Sequence, residues 1–248
     1  MAGHSKWANI QHRKGAQDKK RAGLFAKLAK EIYVAVKMGG GDIDSNPRLR
    51  LAITTARGQS MPKDNIERAI KKGTGEGNEG ANFEEIRYEG YGNDGIAVIV
   101  ETMTDNRNRT ASEIRSTFTK YGGNLGETGS VSFSFNQLGE ITLDSSVADE
   151  ETMLEEIMEA GATDMEQEVD VYIIYCEMTE LHNVSTALNN KFGEIKSAKI
   201  IWQPTNTVEL DLEQAKKVIK LVDVLECLDD VQSVYTNMDV SDEIAEQL

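Results

Sequence analysis

Hydrophobic positions keep a helical period as far as residue 73 and change to a period of two after residue 80. From Asp18 to Met38, the residues Leu24, Phe25, Leu28, Ala29, Ile32, Tyr33 and Val36 recur at helical spacing, with Lys19, Lys20, Lys27, Lys30 and Lys37 on the opposite arc. Met38 to Asp42, rich in glycine, stops that helix. Asn46 before Pro47 reads as an N-cap with proline in the first turn, and predicts a second helix with Leu49, Ala52, Ile53 and Ala56 inward, ended by Gly58. Pro62 starts a third, with Ile66, Ala69 and Ile70 on one side, Lys63, Arg68, Lys71 and Lys72 off it, and Gly73 placed to close it. The first fifteen residues have no apolar period and predict a mobile basic arm.

Beyond the glycine-rich run Gly73–Gly80, Ile86–Tyr91 and Ile96–Glu101 read as strands around Gly92-Asn93-Asp94-Gly95, where Asp-Gly suits a tight hairpin turn. A helix with Ala111, Ile114, Phe118 and Tyr121 inward follows, then Gly122-Gly123, then an alternating strand Val131–Phe135. Residues 138–203 carry a self-contained βαββαβ order: strand Glu140–Leu143, helix Asp149–Ala160, strand Met165–Glu168, strand Val171–Cys176, helix Glu180–Asn190, strand Ser197–Trp202. This is the split-βαβ, ferredoxin-like arrangement, with Met153, Leu154, Ile157, Val184 and Leu188 on the sheet. A strand Thr207–Leu210, a helix with Leu212, Ala215, Ile219, Val222 and Leu225 inward, and a strand Val231–Tyr235 are too few to stand alone. They are expected to complete the sheet begun at Ile86. The class is therefore α+β and multidomain: a basic arm and three-helix bundle over 1–78, a discontinuous α+β domain over 79–136 and 206–248, and the ferredoxin-like domain over 137–205 inserted in it.

Charge divides along the same line. The chain has 27 Lys and Arg against 42 Asp and Glu, a net charge of −15, yet residues 1–75 hold 16 and 6 and the remainder 11 and 36. A compact unit of +10 on a body of −25 can gather a polyanion locally, and nucleic acid is the first to consider. The acidic domains leave room for a protein partner. No signal-peptide pattern and no run of about 18–20 apolar residues is present, so a cytoplasmic protein with no membrane partner is expected. Cys176 and Cys227 make neither a disulfide framework nor a cysteine zinc site, and both fall on apolar faces as core residues.

Within the first 30 residues eight cations, Lys6, Arg13, Lys14, Lys19, Lys20, Arg21, Lys27 and Lys30, face a single carboxylate, Asp18. Together with Lys63, Arg68, Lys71 and Lys72 of the third helix they can neutralise several phosphates, with Trp7, His4 and His12 available to stack or hydrogen-bond. In Asp105-Asn-Arg-Asn-Arg-Thr110, Arg107 and Arg109 either bind an anion at a helix start or pair with nearby carboxylates while Asp105 or Asn106 caps the helix. The run Gly122–Ser130 lacks the Gly-Lys-Ser/Thr ending of a P-loop and leads from helix to strand, so it reads as a connector. No His/Glu or Ser/His/Asp grouping stands at a catalytic spacing, which points away from an enzyme and from any cofactor.

The opening Ala2-Gly-His-Ser-Lys-Trp-Ala-Asn-Ile10, the segment Met61-Pro-Lys-Asp-Asn-Ile-Glu-Arg-Ala-Ile70, Thr104-Asp-Asn-Arg-Asn-Arg-Thr110, and Gly122-Gly-Asn-Leu125 with Gly129-Ser-Val131 closely resemble the YebC/PmpR family, over essentially the whole chain. The resemblance implies an N-terminal helical bundle and two α+β domains, one inserted in the other. It also implies cytoplasmic bacterial transcriptional regulators that bind promoter DNA, without a catalytic site. Mitochondrial relatives are translational activators, of cytochrome c oxidase among others, and bacterial members are linked to relief of stalled ribosomes. Beside an acidic protein-interaction scaffold with an incidental basic end, two readings therefore stand: a DNA-binding transcriptional regulator, and a ribosome-associated translation factor contacting ribosomal RNA. The sequence leaves monomer and dimer open.

Overall fold

The structure, a computed structural model, describes residues 18–75, 82–193 and 195–248, with side chains from residue 22 onward. The predicted basic arm lies outside them. Chain contacts divide into two compact units, one holding Ala81–Asn136 and Trp202–Leu248, the other Leu24–Gly80 and Gln137–Ile201.

The second unit begins with helices α1 (Asp18–Gly39), α2 (Pro47–Gly58) and α3 (Lys63–Gly73). Asn46 caps α2 as its spacing requires: its side-chain oxygen accepts the Leu49 amide at 3.1 Å, while its amide group donates to Ala35 O at 2.8 Å and so ties the cap to α1. Ile32, Ala35, Val36, Leu49, Ile53, Ala56, Ile66 and Ala69 form one apolar cluster between the three helices. At the end of α3 the left-handed residue is Gly75, with Thr74 as C-cap, rather than the expected Gly73, which stays helical.

The same unit holds the βαββαβ module: β4 (Phe135–Asp144), α5 (Glu150–Ala160), β5 (Asp164–Gln167), β6 (Val171–Glu177), α6 (Leu181–Phe192) and β7 (Ser197–Pro204). Its sheet runs β5-β6-β4-β7, which places the module's first strand between its third and fourth, as in the ferredoxin-like arrangement. Met153, Ile157, Val184 and Leu188 pack onto Ile141, Leu143 and Ile174. Leu154, expected among them, points to solvent, because one step of the helix carries it about 100° away from Met153.

Helix α2 seals the edge of this sheet. The Thr55 hydroxyl accepts the Ala198 amide at 3.1 Å and donates to the Ala198 carbonyl at 3.2 Å, so an edge strand's backbone is answered by a helix side chain. Gly58 permits the approach, since a Cβ there would strike the carbonyl oxygens of Ile195 and Lys196.

The first unit is built on strands β1 (Glu84–Tyr91), β2 (Ala97–Thr104), β3 (Asn124–Leu125) and β9 (Val231–Thr236), in the order β3-β1-β2-β9. The hairpin turn is of the I′ kind: Asp94 and Gly95 both have positive φ, 58° and 75°, and the Ile96 amide donates to Asn93 O at 3.2 Å. Helices α4 (Arg107–Lys120) and α7 (Leu212–Glu226) cover one face through Ile114, Phe118, Ala215, Val218, Val222 and Leu225. On α4 the first buried position is Thr110, not Ala111.

Three expectations for this unit are corrected. Residues 131–134 are not a strand: Ser132–Ser134 form a 3₁₀ turn that leaves Val131 buried and turns Phe133 out, 77% exposed, and buried Phe135 opens β4. The strand after Pro204 shrinks to β8 (Val208–Glu209) and pairs in parallel with β10 (Met238–Asp239), so only β9 joins the sheet begun by β1. Cys227, the C-cap of α7, is exposed rather than in the core. A short helix α8 (Asp242–Ala245) ends the described chain.

Candidate nucleic-acid interface

Helix α3 is short, and its sequence divides its faces cleanly. Ile66, Ala69 and Gly73 are buried, Asp64 lies in the first turn, and Lys71 and Lys72 lie in the last, where their charges meet the carbonyl end of the helix dipole. Arg68, Lys71 and Lys72 stand three and four residues apart on the outer face, are exposed, and form no ion pair among the described residues. Lys63 is the exception, 3.6 Å from Glu67 one turn on, both exposed, a pair that contributes a few tenths of a kcal/mol at most.

The other helices sort their cations differently. Arg48 is committed to Glu31 through two nitrogens at 2.7 and 3.1 Å. Arg50 donates to Ile43 O at 3.3 Å and Asp44 O at 2.7 Å, and lies 3.1 Å from His182 Nε2. Lys27 and Lys30 on α1 are half-buried and engaged. Lys37 is exposed with its ammonium 5.8 Å from the Tyr33 ring, and Arg57 is exposed at the end of α2. Lys37 belongs to the cationic arc of α1, but the sequence marks neither as a phosphate contact. Their helical position alone gave no reason to prefer them. For Lys19, Lys20 and Arg21 the backbone is helical, and Lys6, Trp7, Arg13 and Lys14 lie outside the described residues.

In the first unit the Thr104–Thr110 motif closes a polar network. Asn106 is the cap of α4, accepting the Arg109 amide at 3.1 Å. Asp105 pairs with Arg109 at 3.0 Å instead. Arg109 also reaches Asp230 at 2.6 Å, and the same Asp230 oxygen accepts the Thr110 hydroxyl at 2.7 Å and the Thr104 hydroxyl at 3.1 Å. Asp230, Thr104 and Thr110 are buried, and the hydrogen bonds that Arg109 donates to Asp230 and Asp105 hold its guanidinium above its ordinary pKa. Arg107 points to solvent, and its carbonyl accepts the Tyr88 hydroxyl at 3.4 Å. Burial raises the Tyr88 phenol, against the opposing pull of Arg107.

The glycine-rich connector is also held by a buried carboxylate. Glu89 on β1 accepts the amides of Val131 and Ser132, both at 2.9 Å, while its carbonyl takes the Gly126 amide at 2.8 Å. Burial pushes the carboxyl up, but the amides of Val131, Gly129 and Ser132 outweigh it and hold its pKa below the ordinary value. These bonds consume the amides a strand ladder would need, which is why residues 131–134 turn instead. Glu89→Gln is expected to cost about 2 kcal/mol at pH 7, since the two amides lose a charged acceptor. Because the folded carboxyl has the lower pKa, its contribution is full above about pH 4.5 and fades as pH falls through the folded value. Urea unfolding of both proteins from pH 3 to 7 checks this: the gap is expected to narrow on the acid side, and a constant gap would contradict it.

Nothing in these arrangements resembles an assembled reaction centre. Burial, helped by Glu177 and Glu180, pushes the Cys176 thiol up to about 11, so it stays protonated and inert at neutral pH. No group of three metal-ligating side chains occurs among the described residues.

The comparisons agree with a regulator-type α+β protein. Residues 5–76 match the N-terminal domain of TACO1/YebC proteins, and residues 83–238 match the TACO1/YebC second and third domain. This chain belongs to the TACO1/YebC family. The crystal structure of the conserved hypothetical protein Aq1575 from Aquifex aeolicus is similar over 97% of this chain and 99% of that one, at 48% identity and a TM-score of 0.87.

Proposed function

We propose that this chain regulates gene expression by binding nucleic acid, as a DNA-binding transcriptional regulator whose basic N-terminal segment holds the phosphates of promoter DNA. The observation that carries the reading is the outward triad Arg68, Lys71 and Lys72 on a segment of +10, with the rest of the chain at −25. Cations without a carboxylate partner keep their attraction for an external anion, and the acidic body turns a bound duplex toward the basic end. Support also comes from the family model over residues 83–238, which bears a transcriptional regulator's name. Such a protein works in the cytoplasm, beside the chromosome, and no described helix is long and apolar enough to cross a membrane. Phosphate contacts supply affinity and register, and sequence choice falls to the segment that meets base edges.

The second reading, a translation factor on ribosomal RNA, is favoured by one feature: Trp7 beside Lys6 is a stacking ring next to a phosphate contact, which suits unpaired bases. Salt titration tests the shared electrostatics. With roughly four to six phosphates neutralised, the logarithm of duplex affinity should fall against the logarithm of salt with a slope of about −4 to −5. A slope near zero, or undiminished binding by a truncation that begins at Gly75, would overturn the assignment to this segment.

A further inference from the structure

Independently of the nucleic-acid reading, we infer that the outer face of α5 docks a basic, amphipathic segment of a partner protein. Leu154 and Met158 stand one turn apart on this face, 42% and 74% exposed, while Met153 and Ile157 of the same helix are buried in the module's core. The exposure is therefore not fraying. At about 100° per residue, Leu154, Met158, Glu151 and Glu155 share an arc of about 100°.

Only the first carboxylates of this helix serve the helix. Asp149 as cap, with Glu150 and Glu151 in the first turn, suits the positive end of the dipole. Glu155 and Glu159 do not, and the pairs 151/155 and 155/159 set like charges one turn apart, an arrangement that weakens a helix. Glu151 and Glu155 form no ion pair among the described residues, whereas Glu156, on the other side, meets Lys191 at 2.8 Å. Residues 137–205 contain 15 acids and 3 lysines, so the module repels nucleic acid and attracts a basic chain.

Charge complementarity selects the occupant. A helix with leucines on one stripe and lysines or arginines beside it would set its apolar stripe on Leu154 and the adaptable Met158 thioether, and its cations on Glu151 and Glu155. Both faults of the free surface, exposed apolar side chains and unscreened like charges, would be relieved together.

The test uses the full chain and a fluorescent 18-residue peptide of leucine and lysine at helical spacing, read by anisotropy at 150 mM salt. Saturable binding is expected, weakened at least tenfold by L154S/M158S and, separately, by E151Q/E155Q, with a scrambled peptide at least tenfold weaker than the amphipathic one. Equal affinity for the scrambled peptide, or unchanged binding by both double variants, overturns the proposal. So does self-association of the wild-type chain that L154S/M158S abolishes, which would make the occupant a second copy. A tenfold gain in peptide affinity on deleting residues 2–17 would assign the face to the chain's own N-terminal segment and overturn it equally. A measurement on the wild type avoids any folding defect of the variants: peptide should shift the methyl resonance of Met158 and leave that of buried Met153 in place, and an unmoved Met158 signal refutes the docking.

Discussion

Replacing Asp230 with alanine is expected to lower the unfolding free energy by about 3 kcal/mol. One carboxylate oxygen answers three donors, Arg109, Thr110 and Thr104, and its removal takes the acceptor of the buried Thr104 hydroxyl and leaves the Thr110 hydroxyl with Thr104 Oγ1 at 2.8 Å and Asn106 O at 3.2 Å. Arg109 adds less, because its half-exposed guanidinium can turn to water and keep Asp105. The Asp230 carbonyl, which alanine retains, accepts the Met103 amide at 2.8 Å, so the side chain stands where β2, α4 and β9 meet. The substitution thus loosens the end of β2, the start of α4 and the entry to β9 together. Asp230→Asn keeps an acceptor and should cost about half as much. Urea denaturation of the three proteins decides it. Equal stability of wild type and D230A would show that the network around the Thr104–Thr110 motif is not what holds this unit.

The second large effect is on binding. Reversing Arg68, Lys71 and Lys72 to glutamate should lower affinity for a duplex at least a hundredfold near 100 mM salt, and flatten the salt slope by about one per lost phosphate contact. The three side chains are exposed and unpaired, so their reversal leaves the core of the helical segment intact. Lys27 and Lys30 would be poorer probes. Both are half-buried and engaged, and reversing them would disturb α1 as well as any contact with phosphate. Anisotropy with a labelled duplex, beside a melting curve for each protein, separates the two effects. Retention of wild-type affinity by a folded triple variant would remove α3 from the interface.

Much of the fold was legible because its determinants are local. The Asn46-Pro47 start of α2, the Asp94-Gly95 turn and the split βαβ order each depend on residues a few positions apart, and the structure reproduces them. What escaped depends on distant partners. Val131 to Phe135 alternates like a strand, but Glu89, 42 residues upstream of Val131, claims the amides. Asp105 or Asn106 could equally have capped α4, and Asp105 instead pairs with Arg109, whose guanidinium also bonds Asp230, 121 residues on. Leu154 and Met153 are adjacent leucine-sized residues, and only packing against the sheet decides which is inward. At the candidate interface, charge alone put Arg68, Lys71 and Lys72 on a level with Lys27 and Lys30. Whether a lysine is free or engaged is set by tertiary contacts, and those single out Arg68, Lys71 and Lys72 over Lys27 and Lys30.

The most direct measurement is crosslinking in cells followed by sequencing of both bound DNA and bound RNA, for the wild-type chain and the R68E/K71E/K72E variant. Discrete promoter peaks are expected in the wild type, and their disappearance in the variant. Ribosomal RNA crosslinks without DNA peaks above background would contradict transcriptional control and reduce the DNA affinity to nonspecific electrostatics, and promoter peaks unchanged in the variant would contradict the role of the basic helices.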